Sequence, residues 1–368
     1  METLSQIALT FTPGLGNASI RRLVDLYPDE DIFALPKSEL EAAFSNHQSI
    51  LDNILNKSGF PRAEEELRFC EQNHIQPLFF TAPDYPERLN RPETDDCPAL
   101  LYVMGDTNLN PERPVAIVGT RRATAYGIDN TDRLVHELKS YNTPIISGLA
   151  YGIDTAAHTA ALAHGLPTVA VLGHGLDRIY PAENRNLAKQ ILASGGALVT
   201  EYPNGTAINP RYFPARNRII AALADATVVV EASDKGGALI TAAIAASYHR
   251  DVFAVPGRLT DTYSRGTVNL LATNRALLVR NADDIAFQLG WPLLGQQLSL
   301  DGMKETPKLS HDEQKIVNHL KTCDCQPLEK IAAAVDFSLP KAASLLFNME
   351  MAKVVRTLPG HLYQLVNS

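Results

Sequence analysis

The feature that most constrains this chain is a regular alternation of short apolar runs with helix-compatible segments between residues 110 and 290. Strands that alternate with helices form a parallel sheet covered on both faces. The segment is therefore predicted to be α/β, with a Rossmann-like, doubly wound, mostly parallel sheet. The predicted strands are VAIVG (115–119), PIISG (144–148), TVAVLG (168–173), ALVTE (197–201), TVVVEA (227–232) and DVFAVPG (251–257), with a weaker strand at ALLVR (276–280).

The full chain of 368 residues exceeds the usual length of one domain. Residues 1–60 predict a small helical domain, similar to a SAM or helix-hairpin-helix domain, with Asn17 as an N-cap. Its PGLG turn either meets a DNA phosphate through backbone N–H groups or is an ordinary turn between packed helices. Residues 61–290 form the extended Rossmann-like domain. After a polar connector at 291–308, residues 305–368 predict a winged helix with a hairpin turning at Pro359-Gly360.

The charge of the chain is unevenly distributed, although its net formal value is -8. Residues 1–109 hold 8 Lys and Arg against 18 Asp and Glu, whereas residues 110–290 hold 17 against 15 and residues 291–368 hold 8 of each. Location matters more than the total when an anionic partner is considered. The middle region alone escapes the acidic bias.

Ligands of a doubly wound sheet bind outside the carboxyl ends of its strands, which we call the carboxyl edge. The segments that follow the strands are rich in Gly, Ser, Thr, Asn and Arg. This composition suits a phosphate-bearing ligand, because glycines let backbone N–H groups approach and arginines match phosphate oxygens. Arg121 and Arg122 follow the first strand directly, where the diphosphate of a Rossmann ligand would lie.

The segment NPRYFPARNR (209–218) is predicted to be a loop that carries Arg211, Arg216 and Arg218 without an acid. Interleaved Tyr212 and Phe213 add aromatic faces, and cations with such faces are typical of single-stranded nucleic-acid binding. The alternatives are that the rings anchor the loop in the core and that local acids neutralise the arginines.

Enzyme signatures are weak in this sequence. GTRRATAYG (119–127) is not GxGxxG, which disfavours an NAD site, and Walker loops, Ser-His-Asp order and metal-ligand spacing are missing. Asp154 and His158 could act as acid and base, or be a helix N-terminal acid and a packed histidine. Glu201 and Glu231 end strands and could be catalytic or hold loops. We predict no catalytic residue, metal or cofactor.

The motifs VAIVGTRRAT, SGLAYGID, GHGLDRIYPAENRNL, TEYP, FPARNRIIAALA, GGALITA and FAVPG occur in order. Together with the C-terminal pattern they resemble the DNA-processing protein DprA (Smf) family over nearly the whole chain. The resemblance implies a helical N-terminal domain, a Rossmann-like core and a winged helix. It also implies single-stranded DNA binding, a homodimer formed through the Rossmann-like domain, and loading of RecA onto incoming strands in natural transformation.

The resemblance also implies a phosphate-contacting pocket. Its side chains would be Arg121, Arg216, Asn217 and Arg218, and its floor would comprise Gly119, Thr120, Ser147, Gly148, Gly236 and Gly237. Charge and position add Arg122, Arg211 and Lys235, and the aromatic pattern adds Phe213. The predicted winged helix differs from winged helices that bind duplex DNA, because it is charge-neutral and its helix LPKAASLLFNMEMAK has few cations. We expect the winged helix to be a protein-contact or regulatory module.

The residues predict a cytoplasmic, non-enzymatic protein that binds single-stranded DNA, and the resemblance implies that it protects incoming strands and loads RecA. The start METLSQIALTF has no basic stretch before its apolar run, so we expect neither secretion nor membrane insertion. One alternative is a nucleotide-processing hydrolase that uses Glu231 and GGALIT (236–241). Another is a transcription regulator that reads duplex DNA through the winged helix.

Overall fold

A computed structural model describes residues 1–292 and 310–365, apart from positions 29, 45, 46, 95, 322, 324, 352, 353 and 359–361. The chain forms two compact units, Met1–Leu294 and Gly295–Ser368. Most of the predicted connector and the predicted Pro359-Gly360 turn lie outside the described residues. The boundary at residue 60 between a helical domain and the rest stays a prediction.

The first unit begins with helices whose apolar side chains, among them Ile7, Ile20 and Leu51, are buried in a common core. The prediction that Asn17 is an N-cap is wrong, because Asn17 is the first residue of α2. Its side chain accepts a hydrogen bond from the backbone N–H of Ala99. This bond ties α2 to the segment that leads into the sheet. The helices are α1 (Thr3–Phe11), α2 (Asn17–Leu26), α3 (Lys37–Ala43), α4 (Gln48–Leu55) and α5 (Phe60–Gln72).

A nine-stranded sheet follows, and every strand predicted between residues 110 and 290 is present in it. Its central strands are buried on both faces, which explains their continuous apolar runs. The strands are β1 (Ile75–Phe79), β2 (Leu100–Gly105), β3 (Val115–Val118), β4 (Ile145–Ser147), β5 (Thr168–Val171), β6 (Ala197–Thr200), β7 (Ala226–Val229), β8 (Asp251–Ala254) and β9 (Leu277–Leu278).

The strand order is β1-β2-β6-β5-β4-β3-β7-β8-β9. Strands β3 to β9 pair in parallel with their neighbours, and β2 joins β6 antiparallel with β1 beyond it. The chain therefore builds outward from β3 in one direction and then resumes at β7 on its other side. Such a reversal opens a crevice at the carboxyl ends of the two strands.

Helices cover both faces of the sheet, which confirms the doubly wound class. One core packs α9 and α10 with the N-terminal helices, and the other packs α6, α7 and α12. The helices are α6 (Ala125–Leu138), α7 (Ile153–His164), α8 (Arg185–Ala193), α9 (Tyr212–Leu223), α10 (Gly237–Ser247), α11 (Arg265–Ala272) and α12 (Ala282–Gln288).

The second unit has the order of elements predicted for a winged helix, with one further short strand, β10. A small core of Ile316, Leu320, Ile331 and Leu346 holds it together. None of the described helices has the length and apolar content needed to cross a bilayer. The elements are α13 (His311–Leu320), β10 (Gln326–Pro327), α14 (Leu328–Ala334), α15 (Leu339–Met351), β11 (Val355–Leu358) and β12 (Leu362–Leu365), with sheet order β10-β12-β11.

The close approach of α5 to α1 yields a stability prediction. A Cβ at Gly59 would lie 2.2 Å from the carbonyl oxygen of Ala8. We expect Gly59→Ala to lower the free energy of unfolding by about 1–3 kcal/mol, because backbone must move to accept the methyl group. The measurement is the urea unfolding midpoint. Gly16→Ala is the control, because Gly16 is likewise an N-cap but a Cβ there meets nothing within 4 Å; it carries only the cost of Ala at an N-cap and should shift the midpoint less. Equal midpoints would contradict this packing.

Candidate functional site

A cavity of about 500 Å³ lies at the carboxyl edge, where the chain reverses between β3 and β7. It is lined by the turn after β3 and by the first turns of α7, α9 and α10. Most of the predicted site residues are therefore brought together. Those that line the cavity are Gly119, Thr120, Arg121, Arg122, Phe213, Arg216, Asn217, Gly236 and Gly237.

The N-terminal turns of α9 and α10 contribute to the lining without a capping side chain from the described residues. The first backbone N–H groups of a helix carry a partial positive charge and attract anions. At Gly237 a Cβ would meet nothing within 4 Å, so the backbone there borders open space. The start of α10 therefore offers main-chain donors to an anionic ligand, whereas at the start of α9 the Tyr212 N–H is bonded to the carbonyl of Asn209 and Pro214 has no N–H.

Arg216 supplies a buried positive charge, since its side chain lies in α9 and the residue is only 3% exposed. Its Nη1 donates hydrogen bonds to the carbonyl oxygens of Gly148, at 2.7 Å, and Val171. Burial lowers the pKa of Arg216 to about 10, with Asp154 acting in the opposite direction. The guanidinium thus stays charged at neutral pH.

Asp154 is the buried counterpart of Arg216. Burial raises the pKa of this carboxyl group, opposed by the charge of Arg216. Gly148 leaves room for both groups, because a Cβ there would lie 2.5 Å from Arg216 Nη2 and 2.6 Å from Asp154 Oδ2. The sequence around Asp154 suggests only an acid or a helix N-terminal residue, and nothing local signals its charge interaction with a residue 62 positions away.

Arg121 and Phe213 form the exposed rim of the cavity. The guanidinium carbon of Arg121 lies 5.5 Å from the centre of the Phe213 ring, a cation–π distance. Phe213 also lies 5.6 Å from the ring of Tyr180, and Tyr212 stacks on Tyr202 at 4.4 Å. Tyr212 is therefore an anchor, whereas Phe213 both packs and lines the cavity.

The predicted loop 209–218 is wrong, because helix α9 begins at Tyr212. Pro214 is compatible with helix there, since it falls in the first turn, where no intrahelical partner for its nitrogen is needed. Arg218 Nη2 lies 2.7 Å from Glu201 Oε2, so the second interpretation, neutralisation by local acids, holds for this residue.

Several other predicted residues lie outside the cavity lining. Arg211 and Lys235 are exposed, and Lys235 lines a neighbouring surface hollow with Leu239 and Ile240. Ser147 is buried and its hydroxyl donates to the carbonyl of Ile117. The other two predicted site residues outside the lining are Arg218 and Gly148. Conversely, Thr241 and Tyr263 line the cavity, and their segments give no signal that would single them out.

The candidate catalytic carboxylates are occupied by structural contacts. Glu231 is buried, accepts hydrogen bonds from the backbone N–H and the hydroxyl of Thr124, and so holds the start of α6. Glu201 pairs with Arg218. In the part of the chain that the structure describes, no group of three or more His, Cys, Asp or Glu is arranged to hold a metal ion.

His158 is a packed histidine. Its Nδ1 lies 2.7 Å from the hydroxyl of Thr168, which itself donates to the carbonyl of Ile145. Nδ1 must therefore carry the proton. Burial, and secondarily the charge of Arg216, lowers the pKa of His158 to about 3.

The chain is similar to several known proteins. The family model described as DNA recombination-mediator protein A matches residues 76–290. Protein Smf of Synechocystis sp. is 35% identical over 80% of this chain and 81% of its own length, and DprA of Bacillus subtilis is 37% identical over 62% and 76%.

Two solved structures are also similar. The structure of DprA from Streptococcus pneumoniae matches with a TM-score of 0.69 and 31% identity over 78% of this chain and 98% of its own. A structure of DprA from Helicobacter pylori, which concerns its single-stranded DNA binding mode, matches with a TM-score of 0.50 and 32% identity over 58% and 95%.

The buried state of His158 predicts a pH dependence of stability. Above pH 6.5 the imidazole is neutral in both states, whereas below it only the unfolded chain takes up the proton. As the pH is lowered from 6.5 towards about 3, the free energy of unfolding should therefore decrease. His158 should contribute up to about 1.4 kcal/mol per pH unit to this decrease. His158→Asn keeps an N–H donor for Thr168 but does not titrate, so its slope should be shallower in urea melts.

His74→Asn, at an exposed position, is the control and should keep the wild-type slope. A slope that His158→Asn leaves unchanged would mean that the imidazole titrates in the folded protein. It would then return to the candidates for acid–base chemistry.

Proposed function

Since the chain belongs to the DNA recombination-mediator protein A family, we propose that it is a non-enzymatic mediator that binds single-stranded DNA at the carboxyl-edge cavity. Strand phosphates would lie against Arg121, Arg122, Arg216 and Asn217 and the N-termini of α9 and α10. Phe213 would offer a ring to a base. Arg211 and Lys235 would extend the positive edge.

The observation that carries this proposal is the buried charge of Arg216 beside an open cavity. A charge in a site of low dielectric interacts more strongly with a phosphate than one in water. Arg121 and Arg122 add exposed charges on the same lining. Phosphates occur in every nucleic acid, so binding through them is independent of sequence.

The preference for single strands is supported by the rim and by the relatives. Phe213 is partly exposed beside Arg121, and a ring can stack only on a base that is not paired and stacked within a duplex. The DprA of Helicobacter pylori, 32% identical, binds single-stranded DNA.

The cellular role belongs to the same proposal. The protein would act in the cytoplasm as a homodimer formed through the Rossmann-like unit, protect incoming strands, and load RecA onto them in natural transformation. The description of its family as recombination mediators supports this role.

The competing functions find less support. Glu231, which the hydrolase alternative needs, is occupied by Thr124. Lys341 is the only cation in the sequence of α15, and its Nζ lies 2.6 Å from Asp312 and 4.2 Å from the ring centre of Phe337. A helix whose cation is so engaged is poorly suited to duplex phosphates, and we propose that this unit contacts proteins or regulates.

Salt dependence tests the proposed function. A labelled oligo-dT strand and its duplex are titrated across a salt series by fluorescence anisotropy. We expect the single strand to bind more tightly, with affinity falling steeply as salt rises. Arg121→Ala should weaken binding and reduce the log–log salt slope by about 0.7 for each phosphate contact that is lost.

Arg68→Ala removes an exposed arginine of α5 outside the cavity and serves as the matched control. It should leave affinity and slope near those of the wild type. If Arg121→Ala and Arg68→Ala weakened binding equally, the binding would depend on the net charge of the protein and not on the cavity. Absence of binding to either strand would favour a smaller phosphate ligand for the cavity.

A further inference from the structure

A second cavity, of about 700 Å³, adjoins the first at Arg121 and Arg122, which line both. It lies between α6 and α7 and we call it the α6–α7 groove. Its wall includes Tyr151 and Gly152 from the turn that joins β4 to α7. The helices contribute Ile128, Asp129, Asp132, Thr155, Ala156, Thr159 and Ala160.

The chemistry of the α6–α7 groove differs from that of the first cavity. Asp129 and Asp132 would repel a phosphate, whereas carboxylate oxygens accept hydrogen bonds from amino and imino groups such as those of nucleobases. Oδ1 of Asp132 already lies 2.9 Å from His164 Nε2, so Asp129 is the freer acceptor. Ile128 is 46% and Tyr151 42% exposed, so both present apolar surface to the groove. An aromatic and aliphatic wall with acceptor groups suits a base, and the arginine pair at its border suits the phosphate attached to that base.

Tyr151 is held in place although its ring is exposed. Its hydroxyl donates a hydrogen bond to Glu183, on the segment before α8. The ring is therefore fixed before any ligand arrives, and stacking on it costs little side-chain entropy. An exposed tyrosine without such a contact would lose rotamer freedom on binding.

The turn that carries Tyr151 is itself constrained. Leu149 is buried with a φ of +54°, a conformation that is strained for a bulky residue. Gly152 has a φ of +77°, and a Cβ there would lie 2.2 Å from the carbonyl oxygen of Thr120. Asn184 clamps the turn, since its Nδ2 donates to the carbonyl of Leu149 and the hydroxyl of Thr155. Strain that the surroundings maintain is common at binding sites.

We propose that the α6–α7 groove is a second subsite for single-stranded DNA, in which a base stacks on Tyr151. The strand crosses Arg121 and Arg122 and continues into the first cavity, where its phosphates bind. This subsite rests on the proposed function, because the continuity of the two cavities supplies the path of the strand.

The test compares an oligo-dT strand with an abasic strand of the same length and the same number of phosphates. Tyr151→Ala should weaken oligo-dT binding at least about fivefold, since stacking on a ring contributes on the order of one kcal/mol or more per base. It should leave abasic-strand affinity unchanged, as well as the salt slope, because stacking releases no counterions. Tyr151→Phe keeps the ring and should lose less affinity than the alanine variant.

Tyr126→Ala is the matched control. Tyr126 is 47% exposed in α6, its hydroxyl donates to the carbonyl of Pro256, and it lines neither cavity. This change should leave both affinities near the wild-type values. Unchanged abasic-strand binding by Tyr151→Ala shows at the same time that the variant is folded.

Two failures can be told apart. The subsite is overturned if Tyr151→Ala binds oligo-dT as tightly as the wild type does, or if it weakens the binding of both strands equally. In either case Arg121→Ala still tests the first cavity. If the wild-type protein binds neither strand, the proposed function fails, and the subsite fails with it.

Discussion

The guanidinium of Arg216 is buried where the turn after β4, the end of β5 and the start of α7 meet. A buried charge without partners costs several kcal/mol, so these segments must stay together for α9 to pack on the sheet. Gly148 and Asp154 meet that requirement, one by leaving space and the other by its charge. The shape of the carboxyl-edge cavity follows from this arrangement.

The same arrangement separates two kinds of positive charge. Arg216 is held by two backbone carbonyls, so in the proposed function it would determine where an anion binds. Arg121 and Arg122 are exposed on the lining and border the α6–α7 groove as well. Exposed cations of this kind govern how binding depends on salt. A buried cation, Arg216, with two exposed cations, Arg121 and Arg122, at the border suits a polyanionic strand that passes through the cavity.

The strands were predictable because central parallel strands are buried on both faces and their apolar runs are continuous. The composition of the segments after those strands pointed to the carboxyl edge, where the structure has a cavity. The antiparallel attachment of β2 to β6 is less accessible to sequence analysis, because it depends on pairing across about 100 residues of chain.

Errors arose where local composition hides a distant partner. The segment 209–218 looked like a basic loop, yet its second half is the start of α9, and Glu201 across the edge neutralises Arg218. For the proposed role of Tyr151 the sequence carries one local signal, a large ring among the small residues of SGLAYGID. Its exposure depends on Glu183, Asn184 and Thr120, which no sequence window around it contains.

A crystal structure of the protein with a short oligo-dT strand tests the central claim most directly. The account predicts a phosphate in the carboxyl-edge cavity, within hydrogen-bond distance of the Arg121 guanidinium and of backbone N–H groups at the start of α10. A strand bound to residues 1–60 or to the C-terminal unit, with the cavity left unoccupied, would contradict it.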